Sequence, residues 1–336
     1  MRYLHVCVAV GVAGCGGHSS PAAPDAHGVE IDAALDAMPD AAIGPQIIAT
    51  DQADPHWIAV DDYNIYWTNE TSQHGQVMQL SKVGGTPVAL ASDLPDPEEL
   101  AVDGTGVYFE SLGASGVQGS VMSEIGGVVT TLAPSLTFPR HLALDAVSVY
   151  WTTDNGLVQK VARGGGAVQT LATNEDYTSL VTDGTKLFYI AYVGGASSTT
   201  LYGLPVNGGT QVPLASGVHL NGLAIAGSTL FWKDCSSLPP PRTCQIFAMP
   251  TSGGTPAVIS TEPGNGDYQS VLAVDAQNVY WTDWQLGTVW RAPIAGGDPV
   301  AIGTNQRLPD GIAVDASAIY WTSYDGTYGN IIRCAK

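Results

Sequence analysis

Residues 272–294 read LAVDAQNVYWTDWQLGTVWRAPI: an apolar run ending at Asp275, a short turn, the run Val279-Tyr280-Trp281-Thr282, a second turn, and a new apolar alternation from Thr288. A period of two, interrupted by Asp, Asn and Gly, marks antiparallel strands joined by tight turns. The first half of this unit recurs as IAVDDYNIYWT, LAVDGTGVYFE, LALDAVSVYWT, LVTDGTKLFYI, LAIAGSTLFWK and IAVDASAIYWT. The aromatic pairs begin at Tyr66, Tyr108, Tyr150, Phe188, Phe231, Tyr280 and Tyr320, 38 to 49 residues apart, a period that suits one four-stranded propeller blade.

Each unit runs on through a third strand such as GQVMQLSKV, a Gly-Gly turn and a fourth strand such as TPVALAS. The double glycines stand at 84–85, 126–127, 164–165, 208–209, 253–254 and 296–297, where a hairpin needs positive φ. The seventh unit reaches Lys336 without its Gly-Gly turn or fourth strand, and residues 44–50 (GPQIIAT) match the missing piece. The sequence therefore predicts an all-β, seven-bladed β-propeller of four-stranded antiparallel blades, with the last blade closed by the N-terminal strand. The recurrent Asp at 61, 103, 145, 183, 275 and 315 opens a turn whose backbone N–H groups its carboxylate accepts, and blade five has Ala226 there. The repeated aromatic residues are read as core between blades.

The unit resembles the YWTD (class B) repeats of the low-density lipoprotein receptor family. Tyr280-Trp281-Thr282-Asp283 matches the motif in full, while Tyr66-Trp67-Thr68-Asn69, Tyr150-Trp151-Thr152-Thr153 and Tyr320-Trp321-Thr322-Ser323 are degenerate copies. The resemblance implies a propeller that binds proteins on one face. Receptor propellers of that family have six blades and flanking cysteine-rich modules, whereas this chain has seven aromatic pairs and no such modules.

Ahead of the repeats, residues 1–15 read as an export signal: Arg2, then a short apolar run ending in Val12-Ala13-Gly14-Cys15. That ending resembles a bacterial lipobox, which implies lipidation of Cys15, and Gly16 by the same analogy favours outer-membrane sorting. Residues 16–43, rich in Ala, Asp and Pro, form a flexible acidic tether, and residues 44–336 the propeller domain. The expected location is thus a bacterial outer-membrane lipoprotein, periplasmic or surface-facing, or alternatively a secreted protein. Cys235 and Cys244 bracket one loop and are expected to form a disulfide in an oxidising compartment, leaving Cys334 as a buried thiol.

The 336 residues are 45% apolar, include 40 glycines and carry a formal charge of −19, and no Lys or Arg occurs between Arg2 and Lys82. Nucleic acid is therefore excluded as a partner class, and the membrane is met only through the lipid anchor. The chain is expected to be monomeric. No Walker loop, dinucleotide fingerprint, His-Glu-x-x-His or Gly-x-Ser-x-Gly motif follows a suitable strand, so no catalytic residue is assigned.

Propeller geometry sends the second-to-third and fourth-to-first connections to one face. Those loops vary in length and content, whereas the Asp and Gly-Gly turns of the opposite face repeat. The variable face is expected to bind a protein or glycan ligand, with Trp57, Trp284, Tyr324 and Tyr328 as candidate contacts. The residue two before each first-strand motif should point toward the mouth of the central channel: His56, Glu98, Arg140, Thr178, Asn221, Ser270 and Asp310, with His141 beside Arg140. All are polar and no two are alike in a register where the following residues repeat. No cofactor is required by this reading. A divalent metal is the alternative, with Glu98, Asn221 and Asp310 as ligands, and the ring is then similar to those of gluconolactonase-like hydrolases and streptogramin lyase.

Overall fold

In the computed structural model, residues 44–113, 118–173, 177–192, 198–217, 219–235, 244–262 and 271–336 are described. Among them, strands form seven four-stranded antiparallel sheets and no helix occurs. Blade one runs through Pro55–Val60, Asn64–Asn69, Gly75–Ser81 and Val88–Leu94, and blades two to six repeat that order along the chain. The first strands of successive blades touch one another all the way round, blade seven against blade one included, so they line the axis of a closed ring.

Blade seven is built from both ends of the chain. Its first three strands are Pro309–Val314, Ala318–Tyr324 and Gly329–Ala335, and its outer strand is Gln46–Gln52, which pairs antiparallel to the third with Gln46 opposite Arg333 and Gln52 opposite Gly329. Trp67 of blade one donates its indole N–H to the Gln52 side chain at 3.1 Å, fastening this strand to the neighbouring blade.

The repeated residues each have a bonding role. Asp61 Oδ1 accepts the N–H groups of Tyr63 and Asn64 at 2.7 Å, and its Oδ2 accepts the Tyr66 hydroxyl at 2.7 Å. The same three bonds recur at Asp145, Asp275 and Asp315, with Tyr150, Tyr280 and Tyr320 as donors. The tyrosine is therefore core and turn clamp together, and blade five, with Ala226 in place of Asp, carries Phe231 in place of Tyr.

Three turn carboxylates, Asp103, Asp275 and Asp315, also hold a cation from the next blade. Lys82 of blade one meets Asp315 of blade seven at 2.6 Å, Arg163 of blade three meets Asp103 of blade two, and Lys336 of blade seven meets Asp275 of blade six. Each cation also lies over the Tyr ring of the blade it reaches, 5.1 to 5.7 Å from the centroid. Both sides of blade seven, the blade assembled from distant segments, are latched in this way.

The Gly-Gly turns have the positive φ that a hairpin of this twist demands, for example 95° and 123° at Gly84 and Gly85. In blade three the left-handed pair is Gly165 and Gly166, one residue later than the sequence pattern placed it. Cys235 and Cys244 form a disulfide, and Cys334 is a buried free thiol.

Candidate functional site

The first strand of each blade should bring one polar residue to the channel mouth, and a local irregularity does the aiming. Pairing with the second strand is regular along the outer part, then slips between Pro55 and Ile58, Pro97 and Leu100, Arg140 and Ala143, Asn221 and Ala224, and Pro309 and Ile312. Each slip is a β-bulge, which bends the strand and re-aims a side chain. It falls on His56, Glu98, Asp310 and their neighbours. Gly311 is required there, since a Cβ would lie 2.3 Å from the His56 carbonyl oxygen.

The Thr of the repeat holds the backbone at these points. Thr322 of blade seven donates to the His56 carbonyl at 2.7 Å, Thr282 of blade six to that of Asp310 at 2.8 Å, and Thr152 to that of Arg140 at 2.9 Å. Residues that repeat thus position residues that do not.

His56, Glu98, Arg140 and Asp310 join one charged cluster, together with Glu70 and Asp154. His56 Nε2 lies 3.0 Å from Asp310 Oδ2 and 3.3 Å from Glu70 Oε2. Arg140 lies 3.4 Å from Glu98 through Nη1 and 2.7 Å from Asp154 through Nε. Asp310 and His56 are 254 positions apart in sequence and become neighbours only because the ring closes. Glu70 and Asp154 begin the loops after the second strands of blades one and three. Backbone bonds from Glu70 N–H to the Asp54 carbonyl and from Asp154 N–H to the Phe138 carbonyl, at 2.9 and 3.2 Å, tie those loops to the segments entering the first strands.

Electrostatics at the mouth follow from this crowding. Burial by itself disfavours the charged imidazole of His56, but Asp310, Glu70, Glu98 and Asp54 outweigh it and raise its pKa to about 9. Burial, followed by the charge of Glu70, raises Glu98 to about 7 against the opposing pull of Arg140 and His56. Two cationic side chains face four carboxylates here, an arrangement suited to a further cation rather than to an anion.

Other sequence candidates lie elsewhere. Trp57 is only 2% exposed and packs in the core between blades, so it is no rim contact. His141, at φ 55°, is 1% exposed and turns away from the mouth, with Nε2 3.3 Å from the Tyr177 carbonyl. The bulge accounts for both: the residue after the mouth position is turned into the wall between blades. Asn221 is buried on the first strand of blade five. Among the described His, Cys, Asp and Glu side chains, those brought within metal-binding reach of one another are His56, Glu70 and Glu98. Ser270 and Cys15 lie outside the described residues. Trp284 and Tyr328 are exposed on loops of the mouth face, and Tyr324 is partly buried. Leu286 and Leu308 are exposed as well, and their loops are joined by the Gln306 N–H bond to the Gly287 carbonyl at 2.9 Å.

Behind the mouth, blade two buries Glu99 and Glu110 almost completely. Burial, then the proximity of Glu110, holds the Glu99 carboxyl well above the usual range; burial, then the charge of Glu98, does the same for Glu110. Burial, then Arg140, pushes His141 down to about 3, so His141 and Glu99, 3.8 Å apart, face each other as neutral groups. A carboxyl with a raised folded-state pKa binds more protons folded than unfolded. Its stabilisation is whole below the unfolded value near 4.3 and is lost as pH rises toward the folded value, each tenfold difference in proton affinity between the two states being worth about 1.4 kcal/mol. Glu110→Gln is therefore expected to raise stability at pH 8 and to flatten the wild-type decline between pH 5 and 8 in denaturant titrations. Identical pH profiles for the two proteins would contradict this account.

No family model matches the chain, and no curated protein matches it. Solved structures of similar shape do exist. A chain in the crystal structure of a nidogen/laminin complex superposes with a TM-score of 0.51 at 19% identity, covering 67% of this chain and 88% of that one. TolB from Acinetobacter baumannii gives 0.51 at 10% identity, covering 82% of this chain and 64% of TolB. The computationally designed protein Ika8 gives 0.56 at 11% identity, with 85% and 98% covered. At such identities the likeness concerns the fold, and it places this chain among the β-propellers.

Proposed function

We propose that the protein is a non-enzymatic binding propeller of the cell envelope, exported and lipid-anchored at Cys15, that takes a protein or glycan ligand on its channel-mouth face. One observation carries this reading: the loops and strand ends of that face hold both the acidic cluster and the exposed apolar side chains Trp284, Leu286, Leu308 and Tyr328. Such a pairing of apolar anchor and charged pocket suits a ligand with a cationic group next to an apolar or sugar surface. The opposite face, closed by near-identical tight turns, offers no comparable variety.

Peptide and glycan arrays probed with the purified chain test the reading. Ligands found there should bind the Trp284→Ala/Tyr328→Ala variant at least about tenfold more weakly, the scale of one to two aromatic contacts. Tyr63→Ala, on the turn face and 76% exposed, should bind normally. Undiminished binding by the rim variant, or no binder on either array, would refute the proposal. A second reading, a metal-dependent hydrolase or lyase, is favoured by a single feature, the nearness of His56, Glu70 and Glu98 at the channel mouth. It would require turnover of a lactone or related substrate that is lost in Glu98→Gln.

A further inference from the structure

The mouth cluster is more than a set of ion pairs. One donor atom from each of His56, Glu70 and Glu98 lies within 4.8 Å of the other two. Asp310 stands beside this group rather than in it, its Oδ2 3.0 Å from the same His56 nitrogen that faces Glu70. Two carboxylates thus converge on one imidazole nitrogen, and the single proton that nitrogen carries cannot point at both. A divalent cation in place of that proton can bind the nitrogen and the carboxylate oxygens together, because it accepts several donors at about 2.0–2.2 Å.

We propose that His56, Glu70 and Glu98, assisted by Asp310, form a binding site for a first-row divalent metal ion of the Mn²⁺ or Zn²⁺ class at the mouth of the propeller channel. The site deepens the binding reading above and rests on the same face, but it uses other side chains than the apolar rim. The donor set selects the ion. Calcium takes oxygen ligands alone, whereas one imidazole among carboxylates suits a first-row metal. Sequence alone pointed to Glu98, Asn221 and Asp310; of these Glu98 stands in the group, which His56 and Glu70 complete.

The donors are held before any ion arrives. The His56 and Asp310 backbones are fixed by Thr322 and Thr282, the Glu70 backbone by its bond to Asp54, and the Glu98 carboxylate by Arg140, which Asp154 holds from its other edge. Such fixed ligands bind a metal with little reorganisation. His56 and Glu70 come from blade one and Glu98 from blade two, so a bound ion would bridge these two blades, with Asp310 of blade seven against His56.

Chelator-treated protein titrated separately with Mn²⁺, Zn²⁺ and Ca²⁺ by calorimetry, with melting followed in parallel, tests the site. One Mn²⁺ or Zn²⁺ per chain is expected, with a rise in melting temperature. Glu70→Gln and His56→Asn should each weaken binding by at least about tenfold, the scale of losing a metal-site partner. His74→Ala is the control, since His74 and Asp93 form an exposed His–carboxylate pair 3.0 Å apart that shares no residue with the proposed site. The proposal is overturned if neither Mn²⁺ nor Zn²⁺ binds, if only Ca²⁺ binds, or if folded Glu70→Gln and His56→Asn bind as well as wild type. It is equally overturned if His74→Ala abolishes binding. The Trp284→Ala/Tyr328→Ala variant should titrate normally, so loss of the metal site and loss of the ligand-binding rim are separable results.

Discussion

Removal of residues 44–52 is expected to destabilise the propeller by on the order of 5 kcal/mol, several ladder hydrogen bonds at about 1 kcal/mol each plus the apolar contacts of the strand. The strand pairs with Gly329–Ala335, accepts the Trp67 indole through Gln52, and buries Ala49 in a cluster with Ile58, Trp67 and Tyr320. Without it the third strand of blade seven becomes a bare edge beside blade one. Thermal melting should move down by about 10 °C or more, at the 2–4 °C per kcal/mol usual for larger domains. A synthetic peptide of residues 44–52 should restore part of the loss in a dose-dependent manner. An unchanged transition would mean that the ring is closed by other contacts.

Lys233→Met is expected to cost about 3–5 kcal/mol, because it strands a buried carboxylate. Lys233 and Glu262 meet at 2.6 Å with both side chains fully inaccessible to solvent, and Glu262 also accepts the Trp281 indole N–H at 2.8 Å. This Lys–Glu–Trp unit connects blades five and six close to the Cys235–Cys244 disulfide. Burial raises the Glu262 pKa while Lys233 opposes it, so removing the lysine leaves only the Trp281 hydrogen bond against burial. The double variant Lys233→Met/Glu262→Gln should regain most of the loss, since replacing both partners of a buried pair costs far less than removing one. Chemical denaturation of the two variants checks this; a single variant as stable as wild type would contradict the role given to the pair.

The fold could be read in the sequence because the same physical problem is solved seven times. Each blade needs an alternating strand, an Asp turn and a pair of large aromatics, and repetition separates that pattern from chance. Even the outer strand of blade seven was visible, since residues 46–50 repeat the alternation of the other fourth strands. The site was legible only in part. His56, Glu98, Arg140 and Asp310 stood out as unlike residues in a repeating register. Glu70 and Asp154 did not, because they begin loops where alternation ends, although each lies four residues after the Tyr of its aromatic pair. Trp57 and His141 were misplaced for a further reason. A bulge adds one residue to the strand and changes which face the next side chain takes, and no residue pattern announces it.

The repeat therefore acts as scaffold. Its threonines and turn aspartates hold backbone in place, and ring closure delivers charged residues from distant blades to one mouth. The most direct test of that claim is a double-mutant cycle between His56 and Asp310, using His56→Ala and Asp310→Asn with stability measured by denaturant titration in the presence of chelator. The geometry predicts a coupling energy of about 1–3 kcal/mol. Additivity within about 0.5 kcal/mol would contradict it, showing that blade seven does not bring Asp310 against His56.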